Sequence, residues 1–185
     1  MVRVCVSFHA DIADVGPCVS VLLDEKLVLG WGESGGAVFG GTFGGASAVF
    51  KFFEKRGSFR RFFREVDAYN CLRKLQGECI PRVLFAGFLR HGSLALVLSM
   101  EGRALSRSAD QDARAAARRS LQRIHSYGVI HGDIRLPNFL LASEGRVLVA
   151  DFGRSSLHDV NSPAFRDAME KELRSAVRVL ALPSL

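Results

Sequence analysis

Three residues with oxygen-bearing side chains lie close together in the second half of the chain. Asp133 and Asn138 are five residues apart in the segment His-Gly-Asp-Ile-Arg-Leu-Pro-Asn, and Asp151 follows eighteen residues after Asp133. Carboxylate and amide oxygens are the ligands that a hard cation such as Mg²⁺ prefers, and a carboxylate beside a hydroxyl group can orient it and accept its proton. Each aspartate alone is equally typical of a turn or a helix cap, so the indication lies in their joint spacing.

The segments around these residues predict how they are held. Apolar residues recur on one helical face between residues 110 and 127, so we expect a helix that ends at Gly128. Two short strands, residues 138–141 and 147–150, form a hairpin that fills the interval between Asn138 and Asp151. A last helix is predicted over residues 163–180, with three apolar positions expected to cover the core: Leu173, Val177 and Leu180.

This arrangement resembles the protein-kinase-like superfamily over roughly residues 19–153. The chain has His-Gly-Asp and Asn where the family has the catalytic-loop pattern H-R-D-x-x-x-x-N, and Asp151 opens a D-F-G motif. The resemblance implies that Asp133 is the catalytic base and that Asn138 and Asp151 bind Mg²⁺. It also implies that Arg135 meets the γ-phosphate of ATP.

A glycine pattern in the first half adds to the resemblance. Gly30, Gly32 and Gly35 match G-x-G-x-x-G, a string that also opens dinucleotide-binding folds. Those folds need a helix directly after the glycines, whereas residues 36–41 indicate a strand and a turn. A kinase-type loop over the ATP phosphates is therefore favoured, with a glycine-rich hairpin without ligand as the alternative. The run Ala-Val-Phe-Lys that ends at Lys51 resembles the family's V-A-I-K strand.

The resemblance further implies that Lys51 pairs with a helix carboxylate and contacts the α- and β-phosphates. Glu65 is the first candidate partner, but the interval of fourteen residues is short for the family, so Glu54 and Asp67 remain as substitutes. Three further nucleotide contacts are expected from position alone: Val38, Met100 and Gly102.

The predicted fold class is α+β in a single domain, residues 1–185. Residues 19–53 indicate three strands, a helix follows from residue 59 to near residue 77, and strands follow at 82–89 and 94–99. The resemblance implies a two-lobed fold, with a five-stranded antiparallel N-lobe plus one helix over about residues 19–100. A reduced, mainly helical C-lobe is expected over about residues 103–185.

Composition restricts the partners and the compartment. The formal net charge is +6, and the chain has 48% hydrophobic residues, which is typical of a globular domain. Six arginines between residues 103 and 123 indicate a solvated helix face, and no aromatic residues are interleaved with them, so no nucleic-acid partner is expected. The longest uncharged stretch, residues 34–50, contains six glycines and is too short for a membrane span. Four cysteines without a C-x-x-C pair predict reduced thiols in a cytoplasmic or nuclear protein without a structural metal.

Two departures from the family pattern leave the acceptor open. Gly132 stands where most regulated protein kinases have arginine, and H-G-D occurs in aminoglycoside and choline kinases and in small atypical protein kinases. Only 34 residues follow Asp151, without an A-P-E motif. The resemblance implies an ATP- and Mg²⁺-dependent phosphotransferase acting on a protein hydroxyl. The alternatives are a pseudokinase or nucleotide-binding interaction module without turnover, and a small-molecule kinase of the aminoglycoside or choline kinase type.

Overall fold

The computed structural model describes residues 2–6, 19–31, 37–54, 56–89 and 93–181. The chain divides into two compact units. The N-terminal unit contains residues 1–66 and 82–100, and the C-terminal unit contains residues 67–81 and 101–185.

A six-stranded antiparallel sheet forms most of the N-terminal unit. Its strands, in chain order, are β1 (Val2–Val6), β2 (Val19–Trp31), β3 (Ala37–Phe43), β4 (Ala46–Phe53), β5 (Val83–Phe88) and β6 (Leu94–Ser99). Their order across the sheet is β1-β2-β3-β4-β6-β5. The five strands predicted between residues 19 and 100 are all present, and β1, which precedes that range, adds a sixth by pairing with the first residues of the long strand β2.

The two faces of this sheet have different roles. Side chains alternate between faces along a strand, so Lys51 and Phe53 share one face of β4. Helix α1 (Arg56–Cys71) begins in the N-terminal unit, and its Phe62 packs edge to face on Phe53, with ring centroids 5.4 Å apart. The opposite face carries a cluster around Ala48, Phe50 and Val97, joined by further phenylalanines. The helix therefore lies on the face that also presents Lys51.

Two capped helices frame the C-terminal unit. Helix α2 (Gln111–His125) begins after Asp110, whose carboxylate accepts a hydrogen bond from the backbone N–H of Ala113 at 2.7 Å. Helix α3 (Pro163–Val179) begins after Ser162, whose hydroxyl accepts from the backbone N–H of Phe165 at 3.1 Å. Both helices match their predicted positions to within two residues.

Short strands connect these helices: β7 (Arg103–Ala104), β8 (Val129–Ile130), β9 (Phe139–Leu141), β10 (Val147–Val149) and β11 (Ser156–Leu157). Strands β9 and β10 form the predicted hairpin, and β7 extends it to a three-stranded sheet in the order β10-β9-β7. Strand β8 pairs with β11. This pairing brings the segment that follows β8 close to the segment that precedes β11.

The buried face of α3 differs from the predicted one. Phe165, Ala176 and Leu180 are buried, whereas Val177 is 58% exposed. The buried positions recur at multiples of the helical repeat, and Val177 lies about 100° around the helix from Ala176. No helix among the described residues is both long and apolar enough to cross a membrane.

Candidate functional site

A closed loop in the C-terminal unit brings Asp133 and Asn138 together. The loop follows β8 and ends in a 3-10 turn, Leu136–Asn138. The amide nitrogen of Asn138, a buried residue, donates to the backbone carbonyl of Asp133 at 2.9 Å and to its Oδ2 at 3.3 Å. This orientation leaves the amide oxygen of Asn138 without a hydrogen-bond donor among the described residues.

Arg135 joins this loop to Asp151. Its Nε lies 3.1 Å from Oδ2 of Asp133, and one of its terminal nitrogens lies 3.7 Å from Oδ2 of Asp151. Asp151 has φ 70°, a left-handed conformation that is uncommon outside glycine and that clusters at functional sites. Thus the four residues that the sequence assigned to catalysis and metal binding form one connected group: Asp133, Arg135, Asn138 and Asp151.

His131 fixes the backbone on both sides of this group. Its Nε2 donates to the carbonyl of Ala150 at 2.9 Å, and its Nδ1 accepts from the backbone N–H of Asp133 at 3.2 Å. Burial lowers the pKa of His131, although the carbonyl and nearby carboxylates oppose this shift. The neutral imidazole therefore holds the backbone of Ala150, which precedes Asp151, and also the backbone of Asp133.

Aromatic packing supports the same backbone. The ring of Phe152 is buried and lies edge to face against Tyr69, with centroids 5.2 Å apart. The imidazole of His131 lies 5.0 Å from Phe152 on another side. The residue that follows Asp151 is therefore fixed by two rings of the C-terminal unit.

The most extensive contacts to the loop come from Glu172 on α3, a residue that the sequence reasoning missed. Its Oε1 accepts from the backbone N–H of Gly132 at 2.6 Å, and its Oε2 accepts from that of His131 at 3.0 Å. The Nε2 of His125 donates to the same Oε2 at 2.7 Å. Burial acts to raise the pKa of Glu172, but the hydrogen bonds from His125, Gly132 and His131 outweigh it, so the pKa is lower than usual. Glu172 is a positioning residue, since it contacts the loop backbone and His125.

Gly132 has a structural reason for lacking a side chain. It has φ 79°, and a Cβ at this position would overlap the carbonyl oxygen of Arg154. The departure from the family's arginine therefore coincides with a close approach of two backbone segments. A larger residue here requires one of the two segments to move.

Within the N-terminal unit, the predicted phosphate-binding residues share one row of the sheet. Gly30 pairs with Val38, Val38 pairs with Lys51, and Lys51 pairs with Leu96 across β2, β3, β4 and β6. Residues paired in this way point to the same face, so Val38 and Lys51 are neighbours. Gly32 and Gly35 lie outside the described residues.

Glu65 is the carboxylate that contacts Lys51. The two charged atoms lie 2.6 Å apart, with side-chain exposures of 14% for Lys51 and 2% for Glu65. The two substitutes, Glu54 and Asp67, are both exposed. The short interval of fourteen residues is sufficient because α1 begins soon after β4 and lies on the same face of the sheet.

The two residues expected near adenine are engaged by backbone contacts. Met100, in the N-terminal unit, donates its N–H to the carbonyl of Ser47 at 3.1 Å. Gly102, in the C-terminal unit, leaves no room for a Cβ because the carbonyl of Leu141 approaches it closely. The N–H of Met100 is therefore already used within its own unit.

The donor set in the C-terminal unit fits a hard cation. Asn138 has an amide oxygen without a donor, and the carboxylate of Asp151 is 41% exposed. Both are oxygen donors of the kind that Mg²⁺ binds in small numbers together with water and phosphate oxygens. Groups of three or more histidine, cysteine or acidic residues that could hold a metal ion by themselves do not occur in the described part of the chain, so a cation here would also depend on water or phosphate oxygens.

Comparisons with known proteins test the expected family. The family model described as protein tyrosine and serine/threonine kinase matches residues 58–182, more than half of the chain. Mitogen-activated protein kinase kinase kinase 20 of Arabidopsis thaliana is 34% identical over 88 residues, which are 47% of this chain and 26% of that relative. The chain thus matches about a quarter of the length of the curated relative. The resemblance inferred from the catalytic-loop and D-F-G patterns is confirmed, and the chain belongs to the protein tyrosine and serine/threonine kinase family.

Proposed function

We propose that the protein is an ATP- and Mg²⁺-dependent protein kinase that transfers the γ-phosphate of ATP to a protein hydroxyl. The observation that carries this proposal is the connected group of Asp133, Arg135, Asn138 and Asp151 in the C-terminal unit. Family membership supports the reaction class. A cytoplasmic or nuclear location remains a prediction from the cysteine pattern alone.

Each residue of the connected group has a distinct task in the proposal. Asp133 would orient the acceptor hydroxyl and accept its proton while the hydroxyl oxygen bonds to the γ-phosphorus. The bond between that phosphorus and the oxygen that bridges it to the β-phosphate would break in the same transfer, and ADP would leave. Asn138, through its amide oxygen, and Asp151, through its carboxylate, hold the cation. When bound, Mg·ATP supplies the phosphoryl group and part of the neutralisation of its charge. Arg135 releases its ion pairs and contacts the γ-phosphate.

The proposed nucleotide contacts in the N-terminal unit depend on one ion pair. Glu65 holds the ammonium of Lys51 at 2.6 Å, which fixes the long lysine side chain for contact with the α- and β-phosphates. Gly30 and Val38 lie in the same row of the sheet, so the phosphate-covering role of the glycines is proposed for this face. The proposal also includes Gly32, Gly35 and Met100, together with Gly102 of the C-terminal unit.

A nucleotide-binding module without turnover is a second candidate function. It is favoured by the position of Arg135, whose guanidinium lies within ion-pair distance of both Asp133 and Asp151. A guanidinium at this place competes with a cation for the carboxylate of Asp151. In the kinase, Mg·ATP would displace the contact between Arg135 and Asp151 and phosphoryl transfer would follow. In the module, no transfer would follow binding of the nucleotide.

Release of ADP from Mg·ATP, with and without casein as a general protein acceptor, distinguishes the two candidates. We expect turnover by the unmodified protein and a loss of about a hundredfold or more in the variants Asp133→Asn and Asp151→Asn. Asp167→Asn, an exposed change on α3, is the matched control and should retain full activity. A Mg·ATP-dependent thermal shift without any ADP release would favour the inert module, and equal activity in all three variants would overturn the roles assigned to Asp133 and Asp151.

A further inference from the structure

A cavity lined by arginines opens beside the catalytic loop of the C-terminal unit. Its volume is about 770 Å³, within the range typical of ligand clefts. Ten described residues line it, and none of these ten is acidic. Four of them are arginines: Arg107, Arg114, Arg135 and Arg178. The cavity is therefore strongly cationic.

Arg114 supplies a fixed positive charge at the wall of this cavity. It was expected on a solvated helix face, but it is only 3% exposed. Its guanidinium donates to three backbone carbonyls, those of Arg107 at 2.6 Å, Ala109 at 2.8 Å and Ala181 at 2.6 Å. These carbonyls accept hydrogen bonds from three of its five N–H groups but do not neutralise its charge, so the guanidinium still attracts an anion that enters the cavity.

Arg107 and Arg178 stand at the exposed edge of the cavity. Among the described residues, neither side chain makes a hydrogen bond or an ion pair with another side chain. Both guanidinium groups therefore remain available to an external carboxylate, whose geometry matches their paired donors. Arg114 also lines a smaller cavity of about 210 Å³, whose lining includes a fifth arginine, Arg118.

Arg135 connects this cationic cavity to the catalytic loop. It lines the cavity and also lies 3.1 Å from the carboxylate of Asp133. A polypeptide that occupies the cavity would therefore contact Arg135, which in turn contacts Asp133, the proposed catalytic base. The remaining wall includes Leu136, Pro137 and Val179, which offer apolar contact to the stems of bound side chains.

We infer that this cavity binds acidic side chains of the protein segment that presents the acceptor hydroxyl. The inference rests on the proposed kinase function, since it assigns the substrate class of the same site. The four arginines at the cavity favour carboxylates. No aromatic residue is found among the described residues of its lining, which disfavours nucleic acid, whose bases require stacking partners. The acceptor sequence is therefore a serine, threonine or tyrosine flanked by aspartate or glutamate.

Binding of two matched peptides, without ATP, tests the inference directly. Both are labelled with fluorescein and contain one central serine; the first has glutamate on both sides and the second has glutamine. Fluorescence anisotropy at about 50 mM salt should show that the glutamate peptide binds at least about tenfold more tightly, with weaker binding as salt rises. Equal affinity for the two peptides would overturn the inference.

Two double variants separate the cavity from the general charge of the protein. Arg107→Gln with Arg178→Gln removes two cavity charges and should weaken binding of the glutamate peptide by about threefold to tenfold. Arg119→Gln with Arg166→Gln removes two exposed charges that do not line the cavity, so it should leave binding unchanged. Equal losses in the two double variants would mean that net charge alone attracts the peptide, and they would overturn the inference.

Two further measurements keep this inference distinct from the proposed function. ADP release from Mg·ATP without peptide reports on catalysis alone, and it should be the same in both double variants. If ADP release fails while the glutamate peptide still binds through Arg107 and Arg178, the kinase proposal fails and the acidic binding site stands. A single-stranded RNA that competes through the same arginines as strongly as the glutamate peptide would overturn the choice of a polypeptide.

Discussion

Replacing Glu172 with glutamine is expected to weaken the fold and the catalytic loop together. The two carboxylate oxygens have different partners, because Oε1 accepts from Gly132 at 2.6 Å whereas Oε2 accepts from His131 at 3.0 Å and from His125 at 2.7 Å. Glutamine has the same shape but only one acceptor oxygen. If that oxygen keeps the two bonds of Oε2, the amide NH₂ faces the N–H of Gly132, so that two donors oppose each other.

The magnitude follows from these contacts. The variant loses one hydrogen bond to a charged acceptor, about 1.5–3 kcal/mol, while the N–H of Gly132, which is an exposed residue, can turn to water instead. We therefore expect the free energy of unfolding to fall by about 1.5–3 kcal/mol. A domain of ordinary stability, about 5–15 kcal/mol, remains folded at 25 °C after this loss.

Urea unfolding measures the stability change, and amide hydrogen exchange locates it. The amides of Gly132 and His131 should exchange faster in the variant than in the unmodified chain. The rate kcat of ADP release should fall with the KM for Mg·ATP nearly unchanged, since Glu172 contacts the loop backbone rather than the proposed nucleotide ligands. Glu170→Gln is the matched control: Glu170 is 63% exposed and 3.4 Å from Arg174, so its change should cost less than about 0.5 kcal/mol. The reasoning is refuted if both variants unfold alike and the amide of Gly132 stays equally protected.

Three further predictions concern the glycine, the buried histidine and the ion pair. Gly132→Ala should lower the free energy of unfolding by about 2 kcal/mol or more, because of its positive φ and the close carbonyl, whereas Gly57→Ala on the open surface of α1 should be neutral or stabilising in the same urea titration. Burial lowers the pKa of His131 in the folded chain below its value of about 6.5 in the unfolded chain. Between these two pKa values the unfolded chain binds a proton that the folded chain does not bind, so the folded state loses stability as the pH falls. Urea midpoints measured from pH 8 to pH 5 should therefore decrease below about pH 6.5. Lys51→Met removes the cation beside Glu65 and should cost about 1–3 kcal/mol, and adding Glu65→Leu should recover part of this loss; a double-mutant cycle without coupling would contradict the ion pair.

Local patterns predicted the elements that hold the catalytic loop. Helix α2 was predicted from apolar residues at helical spacing, and the structure adds that Asp110 caps its first turn. The group of Asp133, Asn138 and Asp151 is readable because five residues of loop and one hairpin leave little freedom between them. In each case the interaction lies within about twenty residues of chain, so sequence spacing is close to spatial distance.

Contacts across long stretches of chain were not predictable in the same way. Glu172 reaches Gly132 across forty residues, and in the sequence it stands beside other charged residues of α3 that are exposed. One signal was present: Glu172 lies on the same helical stripe as Phe165 and Ala176, both buried. An acidic residue on an apolar stripe must find buried donors, so the pattern indicates a polar contact but not its partner.

The shortest strands escaped prediction for a different reason. Strands β7, β8 and β11 have two residues each, and a period of two cannot be recognised in so short a run. They form because neighbouring elements bring their backbones together. Strand β1 has the alternating pattern, yet five residues without a turn signal give no indication of a partner, and its place beside β2 depends on the length of β2.

Helix α3 contributes to two features of the C-terminal unit, the catalytic loop and the cationic cavity. Its middle supports the catalytic loop through Glu172, and its last turn contributes Arg178 to the cationic cavity. The short segment after Asp151 therefore supplies both a support for the loop and part of a candidate acceptor site. The two contributions should be separable, because Arg178 is exposed and makes no hydrogen bond or ion pair with another described side chain, whereas Glu172 is buried. Arg178→Gln should weaken binding of an acidic peptide without changing the urea midpoint. Glu172→Gln should lower the midpoint in the absence of any peptide. A fall in the midpoint of Arg178→Gln as large as that of Glu172→Gln would mean that the cavity and the loop support are one structural unit.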